Sequence, residues 1–218
     1  MTVATQFTAL GEQHGQACFL DHGTSLTINN KADVPYLLIL GRDDVVITNK
    51  GTFNLAGYGA WPEDLQHNDN SNHFINEGTL LIEGPTLAPF GFTSLYADLV
   101  NTGIVTISVS LVTNGGVSNS GNGDIKVNHT GRFAAKGYKG DGASHLVIHD
   151  TVMDVSTGNV ILTNGSMSVF TNLEGFGSHL VGNLYLNGRS TLSVNAIGTP
   201  FNILGSFSQQ ETATTKLR

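Results

Sequence analysis

Cysteine is almost missing from this chain. Cys18 stands alone among 218 residues, which excludes an internal disulfide framework and any zinc site built on cysteine. The plain reading of Cys18 is a small buried hydrophobe, and the alternative is an intermolecular bridge or a reactive thiol. Charge is also scarce. Only 12% of residues are Asp, Glu, Lys or Arg, and the balance is a net −7. No basic stripe is visible, so a phosphate-backbone partner is not expected, and an anionic membrane surface is disfavoured. No apolar run reaches the ~18 residues that suggest a membrane-spanning helix. Met1-Thr2-Val3-Ala4-Thr5 has no basic segment followed by an apolar core, so no signal peptide is read there. The chain is then either intracellular or the mature part of a secreted protein. No amphipathic helix is convincing. Yet a hydrophobic content of 39% is too high for a disordered chain.

What the chain does have is repetition. Val46-Ile47-Thr48-Asn49-Lys50-Gly51-Thr52-Phe53-Asn54-Leu55 returns as Phe74-Ile75-Asn76-Glu77-Gly78-Thr79-Leu80-Leu81-Ile82. It returns again as Leu99-Val100-Asn101-Thr102-Gly103-Ile104-Val105-Thr106-Ile107, and Val117-Ser118-Asn119-Ser120-Gly121 begins a degenerate copy. The shared order is apolar, polar, Asn, any residue, Gly, then alternating bulky residues. Asn and Gly tolerate left-handed backbone angles and so suit a tight corner. The alternation is the period of a half-buried strand. One corner and one strand returning every 18 to 27 residues read as a coil of a β-solenoid, whose units contact only their neighbours.

Along the chain, residues 1–24 read as an irregular N-terminal cap, residues 25–170 as the parallel β-helix, and residues 171–218 as further coils or an antiparallel cap with a frayed tail. Asn187-Gly188 between Leu184-Tyr185-Leu186 and Thr191-Leu192-Ser193-Val194 is a hairpin signal. Gly115 to Gly142 reads as loosened, glycine-rich corners with short strands such as Asp124-Ile125-Lys126-Val127. Two corner insertions carry the aromatics: Tyr58 and Trp61 in the first, Phe90, Phe92 and Tyr96 in the second. Corner insertions often make binding surfaces. Tyr58, Trp61, Phe90 and Tyr96 are therefore the candidate ligand contacts, with packing against the solenoid side as the plainer alternative.

A longer ordered set then carries a resemblance. It consists of Ser144-His145-Leu146-Val147-Ile148-His149-Asp150-Thr151-Val152-Met153-Asp154-Val155-Ser156, then Leu162-Thr163-Asn164-Gly165-Ser166-Met167, Leu173-Glu174-Gly175-Phe176-Gly177 and Phe201-Asn202-Ile203. With the corners at Asn49, Asn76 and Asn101, this set resembles the N-terminal domain of yeast cell-wall adhesins of the hyphally regulated cell-wall protein type, over about Leu26 to Ile203. The resemblance implies a secreted right-handed β-helix at the head of a Ser/Thr-rich stalk, held in a fungal wall through a lipid-derived anchor. Departures are the missing stalk and anchor signal, and a single cysteine where relatives often carry several.

Chemistry is sparse. Glycoside hydrolysis needs two carboxylates about 5 to 10 Å apart. The pairs Asp150 with Asp154, Glu63 with Asp64 and Asp43 with Asp44 have no partner at the same phase of the next coil. His145 and His149 share one strand face ~13 Å apart, beyond a single ion's reach unless a corner intervenes. His67 and His73 flank a loop with Asp64 and Asp69, a candidate weak site for calcium, whose oxygen ligands are there, or for zinc. No metal, cofactor or catalytic set is assigned. Asn128-His129-Thr130 and Asn164-Gly165-Ser166 are N-glycosylation acceptors in a secreted chain.

The expectation is an all-β, right-handed parallel β-helix with inward files of Ile, Leu, Val and Phe. Corner Asn side chains are expected to form a hydrogen-bonded ladder. The expected function is adhesion by a monomeric extracellular cell-wall domain to host, abiotic or cell surfaces, with a glycan as one such partner. A polysaccharide-cleaving β-helix enzyme and a ligand-free wall spacer are the alternatives.

Overall fold

The structure, a computed structural model, describes residues 2–3, 6–8, 17–20, 23–34, 37–40, 44–55, 59–62, 71–83, 92–128, 132–171 and 177–218. All its regular elements are β-strands, and the strand pairings are parallel. The chain winds through three faces per coil. Strands such as Val46–Asn49, His73–Asn76 and Asp98–Asn101 form the first face. After the Asn-x-Gly corner, Thr52–Leu55, Thr79–Ile82 and Ile104–Ile107 belong to the second. Phe92–Leu95, Ser110–Thr113 and Arg132–Ala134 belong to the third. The second face is a ten-stranded sheet, whereas the other two merge into one of 17 strands. The merger occurs because Val152–Thr163 and Ser178–Asn187 run through the corner between them, with a register shift between Asp154 and Asn159. The molecule is a β-solenoid.

Register explains the core. Ala32, Phe53, Leu80, Val105, Ile125, Leu146, Met167 and Leu192 stand in one file, each paired with the next. All are buried. Two residues further along each strand, Val34, Leu55, Ile82, Ile107, Val127, Ile148, Val169 and Val194 form a second file. A period of two sends alternate side chains inward, so a slip of one residue would expose a whole file. Phe53 meets Phe74 from the first face edge-on, with centroids 5.1 Å apart, a favoured aromatic geometry.

The expected asparagine ladder is present. Asn49 Nδ2 donates to Asn76 Oδ1 at 2.7 Å, Asn76 Nδ2 to Asn101 Oδ1 at 2.7 Å, and Asn101 Nδ2 to Asn119 Oδ1 at 2.8 Å. At the next coil Gly140 takes the position of Asn119, and Asn119 Nδ2 donates instead to the Tyr138 hydroxyl at 3.0 Å. Burial pushes that hydroxyl well above the ordinary phenol range, and the hydrogen bond from Asn119 only partly offsets it. The folded state therefore holds the Tyr138 proton more tightly than the unfolded chain does. Stability tied to it is complete below an ordinary tyrosine pKa of ~10 and declines as pH rises above it, because only the unfolded chain releases the proton readily. In an alkaline absorbance titration Tyr138, one of five tyrosines, is expected to ionise only as the protein unfolds. A Tyr138→Phe variant should lose that delayed component; a titration unchanged by it would contradict the burial argument.

Several expectations change. Gly51, Gly78 and Gly103 are not in the left-handed region, and neither are Asn49, Asn76 and Asn101. Glycine is required because a Cβ at Gly78 would lie 2.2 Å from Gly51 O of the preceding coil, and one at Gly103 2.1 Å from Gly78 O. The hairpin at Asn187-Gly188 does not form. Leu184–Leu186 pairs parallel with Phe207–Gln209, and Thr191–Val194 pairs parallel with both Ser166–Val169 and Thr214–Leu217. A type I′ turn needs positive φ at both central residues, but only Gly188 has it, so the chain turns a corner instead of reversing. Residues 177–218 therefore supply further coils, with no antiparallel cap among the described residues. At the other end, Thr2–Val3, Gln6–Thr8 and Ala17–Leu20 already pair parallel with later rungs. Those three strands belong to the solenoid. Within Gly115 to Gly142 the short strand expected at Asp124–Val127 is present, with Val117–Asn119 and Tyr138–Asp141 beside it.

Candidate functional site

On the outside of the first face, a row of positions crosses the coils in register. His73 pairs with Asp98. The residues preceding the paired Leu99, Val117, Tyr138 and Val160 are Asp98, Gly116, Gly137 and Asn159. Two consecutive rungs of this row thus carry no side chain, and a trough of about 450 Å³ opens over their backbone. His73 and Asp98 stand at one end of the row and Asn159 at the other. Lys136 lies on the corner side, while Val100, Ser118, Lys139 and Ile161 form the neighbouring row.

The glycines are what make this a candidate site. Neither Gly116 nor Gly137 has a positive φ. A Cβ at Gly116 would meet nothing nearer than Asp98 Oδ1 at 3.9 Å, and one at Gly137 nothing nearer than Asn159 O at 3.5 Å. Backbone conformation and close approach, the two reasons a fold requires glycine, are both absent here. These positions contrast with Gly78, where the neighbouring coil leaves no room.

The polar groups around the trough are held from behind. Asp98 Oδ1 accepts the Gly116 N–H at 2.8 Å, and its Oδ2 lies 3.9 Å from His73 Nδ1. Asn159 Oδ1 accepts from Asn183 Nδ2 at 3.0 Å. Among the described residues, Asp98 is the one carboxylate lining the trough. A second depression of about 370 Å³ lies on the third face, lined by Arg132, Asp154, Ser156 and Thr113 among others, and it shares Lys136 with the first. Burial alone would raise the Asp154 carboxyl. Hydrogen bonds from the Ser156 N–H and the Arg132 guanidinium outweigh it and hold the group below the usual carboxylate range. Fixed donors and acceptors beside apolar Val100 and Ile161 can orient a polar ligand that also has apolar faces.

The residues singled out from sequence fall elsewhere. Tyr58 and Phe90 lie outside the described residues. Trp61 is in the strand Gly59–Pro62 of the third face, its side chain outside them. Tyr96 is half-buried before the strand Asp98–Asn101 and lines neither depression. Asn128 is exposed at the end of Asp124–Val127, with His129 and Thr130 outside the described residues. Asn164 is exposed at φ 62, and its Oδ1 accepts the Arg189 N–H at 2.9 Å.

His145 and His149 share the strand His145–His149 with no corner between them. His145 Nε2 lies 2.9 Å from Ser168 Oγ, while the His149 ring stacks on Phe170. Asp150 is buried in a corner at φ 45, and Asp154 is committed to Arg132, so the two do not face one cleft. Glu63, Asp64, His67, Asp69 and Asp43 lie outside the described residues. Among the described residues, no group of three or more His, Cys, Asp or Glu side chains is placed to hold a metal ion.

The trough was missed because its parts come from five coils and two of them are absent side chains. Aligning Asn72-His73-Phe74 with Gly115-Gly116-Val117 and Lys136-Gly137-Tyr138 was the available signal. No family model matches the chain, and no curated protein or solved structure matches it.

Proposed function

We propose that this β-solenoid is an extracellular adhesion domain that binds surface carbohydrate in the trough above Gly116 and Gly137. The observation that carries the reading is that neither glycine is demanded by backbone angle or by packing, while together they open the space. Sugar rings, with polar edges and apolar faces, suit a shallow groove bordered by Asp98, Asn159 and Lys139 on one hand and Val100 and Ile161 on the other. Two-carboxylate hydrolysis draws no support from a trough with a single carboxylate. The resemblance to fungal wall adhesins favours attachment in the same way, with host, abiotic or cell surfaces as partners and the cell wall as location.

The test fills the trough without disturbing the fold. Gly116→Val and Gly137→Val place a strand-favouring residue where space exists. Both variants are expected to keep their far-ultraviolet circular dichroism and melting temperature, while glycan-array signal and cell adherence fall at least about tenfold, a loss of about 1.4 kcal/mol. Undiminished binding in both variants would move the site elsewhere. A wild-type chain that binds no glycan and no surface would leave the spacer reading in its place.

A further inference from the structure

We infer that the occupant of this site is an acidic polysaccharide, lying across the corner between the third and first faces so that it fills both depressions at once. The inference rests on the carbohydrate reading above and adds the charge and the length of the ligand. Length comes from continuity. The depressions of about 450 and 370 Å³ share Lys136, so a chain entering one is led past the Lys136 side chain into the other. Each alone is at the small end of the ~300–1,000 Å³ typical of ligand pockets, and both are shallow, which suits several linked rings better than one engulfed ring.

Charge supports the acidic class. The whole chain is at −7, with only 10 Lys and Arg residues. Three of those, Arg132, Lys136 and Lys139, line the two depressions, against two carboxylates, Asp98 and Asp154. The local sign is therefore opposite to that of the molecule. Both carboxylates are already occupied within the protein: Asp154 takes Arg132 and the Ser156 N–H, and Asp98 takes the Gly116 N–H. Lys139 has no carboxylate partner among the described residues. A uronate or sulfate group placed along the groove would meet Lys136 and Lys139, and the acidic remainder of the surface would disfavour it anywhere else.

The experiment uses the full chain and calorimetry with oligogalacturonates of two, four and six residues, beside neutral galactose oligomers of the same lengths. Affinity for the acidic series should rise with length, exceed the neutral series by about tenfold or more, and fall about fivefold or more when salt shortens the Debye length from ~14 to ~6 Å. Lys136→Gln and Lys139→Gln should each weaken the six-residue ligand about fivefold, with Lys136→Arg restoring most of it, if charge is what the site reads. Neutral oligomers that bind as tightly, a length series flat beyond two residues, or unchanged affinity in Lys136→Gln would each overturn the inference. If neutral oligomers bind and Gly116→Val abolishes that binding, the carbohydrate site stands and only the acidic class falls. An acidic peptide that binds where the oligogalacturonates do not would overturn it as well. Binding of neither oligosaccharide series would overturn the inference, while the carbohydrate reading stands or falls by the glycan array.

Discussion

Gly78→Ala is expected to lower the denaturation midpoint steeply, with a loss of at least about 3 kcal/mol, which is in the range of overpacking at its most severe. The new Cβ would sit 2.2 Å from Gly51 O, 2.7 Å from Lys50 C and 2.9 Å from Gly51 N. All three are backbone atoms of the preceding coil, so no rotamer change can relieve the contact. Gly51 O also accepts the Thr79 N–H at 2.8 Å, while the Glu77 and Gly78 amides both donate to Asn49 O. Moving the coils apart to admit the methyl group would stretch all of these bonds together. Gly116→Ala is the matched comparison. It adds the same methyl group on the same solenoid, but its nearest neighbour would be 3.9 Å away. Removing unfolded-chain freedom there should leave stability unchanged or raise it by about 0.5 kcal/mol. Urea denaturation followed by circular dichroism tests the pair, with midpoints compared because a solenoid need not unfold in two states. Equal midpoints for the two variants would show that coil contact is not what selects glycine at the corner.

The contrast between those two glycines marks how far the sequence could be read. The period was legible because Asn49, Asn76 and Asn101 each precede a glycine by two residues and a strand by three. It correctly aligned Phe53, Leu80 and Val105, which stand in one buried file. The physical reason for the corner was not legible, since a left-handed angle and a neighbouring carbonyl select the same residue. Asn187-Gly188 misled for a related reason. Composition there matches a hairpin, but the pairing partners of each strand lie a full coil away, and their in-register stacking decides the outcome. The trough was harder still. Reading for chemistry favours large side chains, so Tyr58, Trp61, Phe90 and Tyr96 drew attention. The groove is defined by what Gly116 and Gly137 lack, and register alone brings them beside His73, Asp98 and Asn159.

Asn101→Leu is expected to cost about 3 kcal/mol, because it cuts the ladder in its middle while keeping the number and branching of the side-chain heavy atoms. Each buried amide that loses its partner costs about 1–3 kcal/mol, and the apolar replacement returns part of that. Asn76 Nδ2 would lose the acceptor it now holds at 2.7 Å, and Asn119 Oδ1 would lose a donor at 2.8 Å. Gly103 O would lose the Asn101 amide as well, at 3.0 Å. Asn76 Nδ2 keeps Ile104 O at 3.0 Å, which is why the cost stays short of a stranded charge. The end of the ladder should behave differently. Asn49 Oδ1 is buried with no hydrogen-bond partner, since its neighbour in the preceding coil is Ile28. Asn49→Leu therefore breaks the ladder from one side only and removes a polar atom that was unsatisfied at the outset, so its cost should be the smaller of the two. The double variant Asn76→Leu with Asn101→Leu supplies the decisive measurement. If the amides act as one chain, the bond between them is lost once and not twice, and the double variant falls short of the sum of the singles by about 1 kcal/mol. Strict additivity, or an Asn49→Leu cost equal to that of Asn101→Leu, would mean that the column of amides is four separate corner caps and that backbone ladders and apolar files hold the coils together without it.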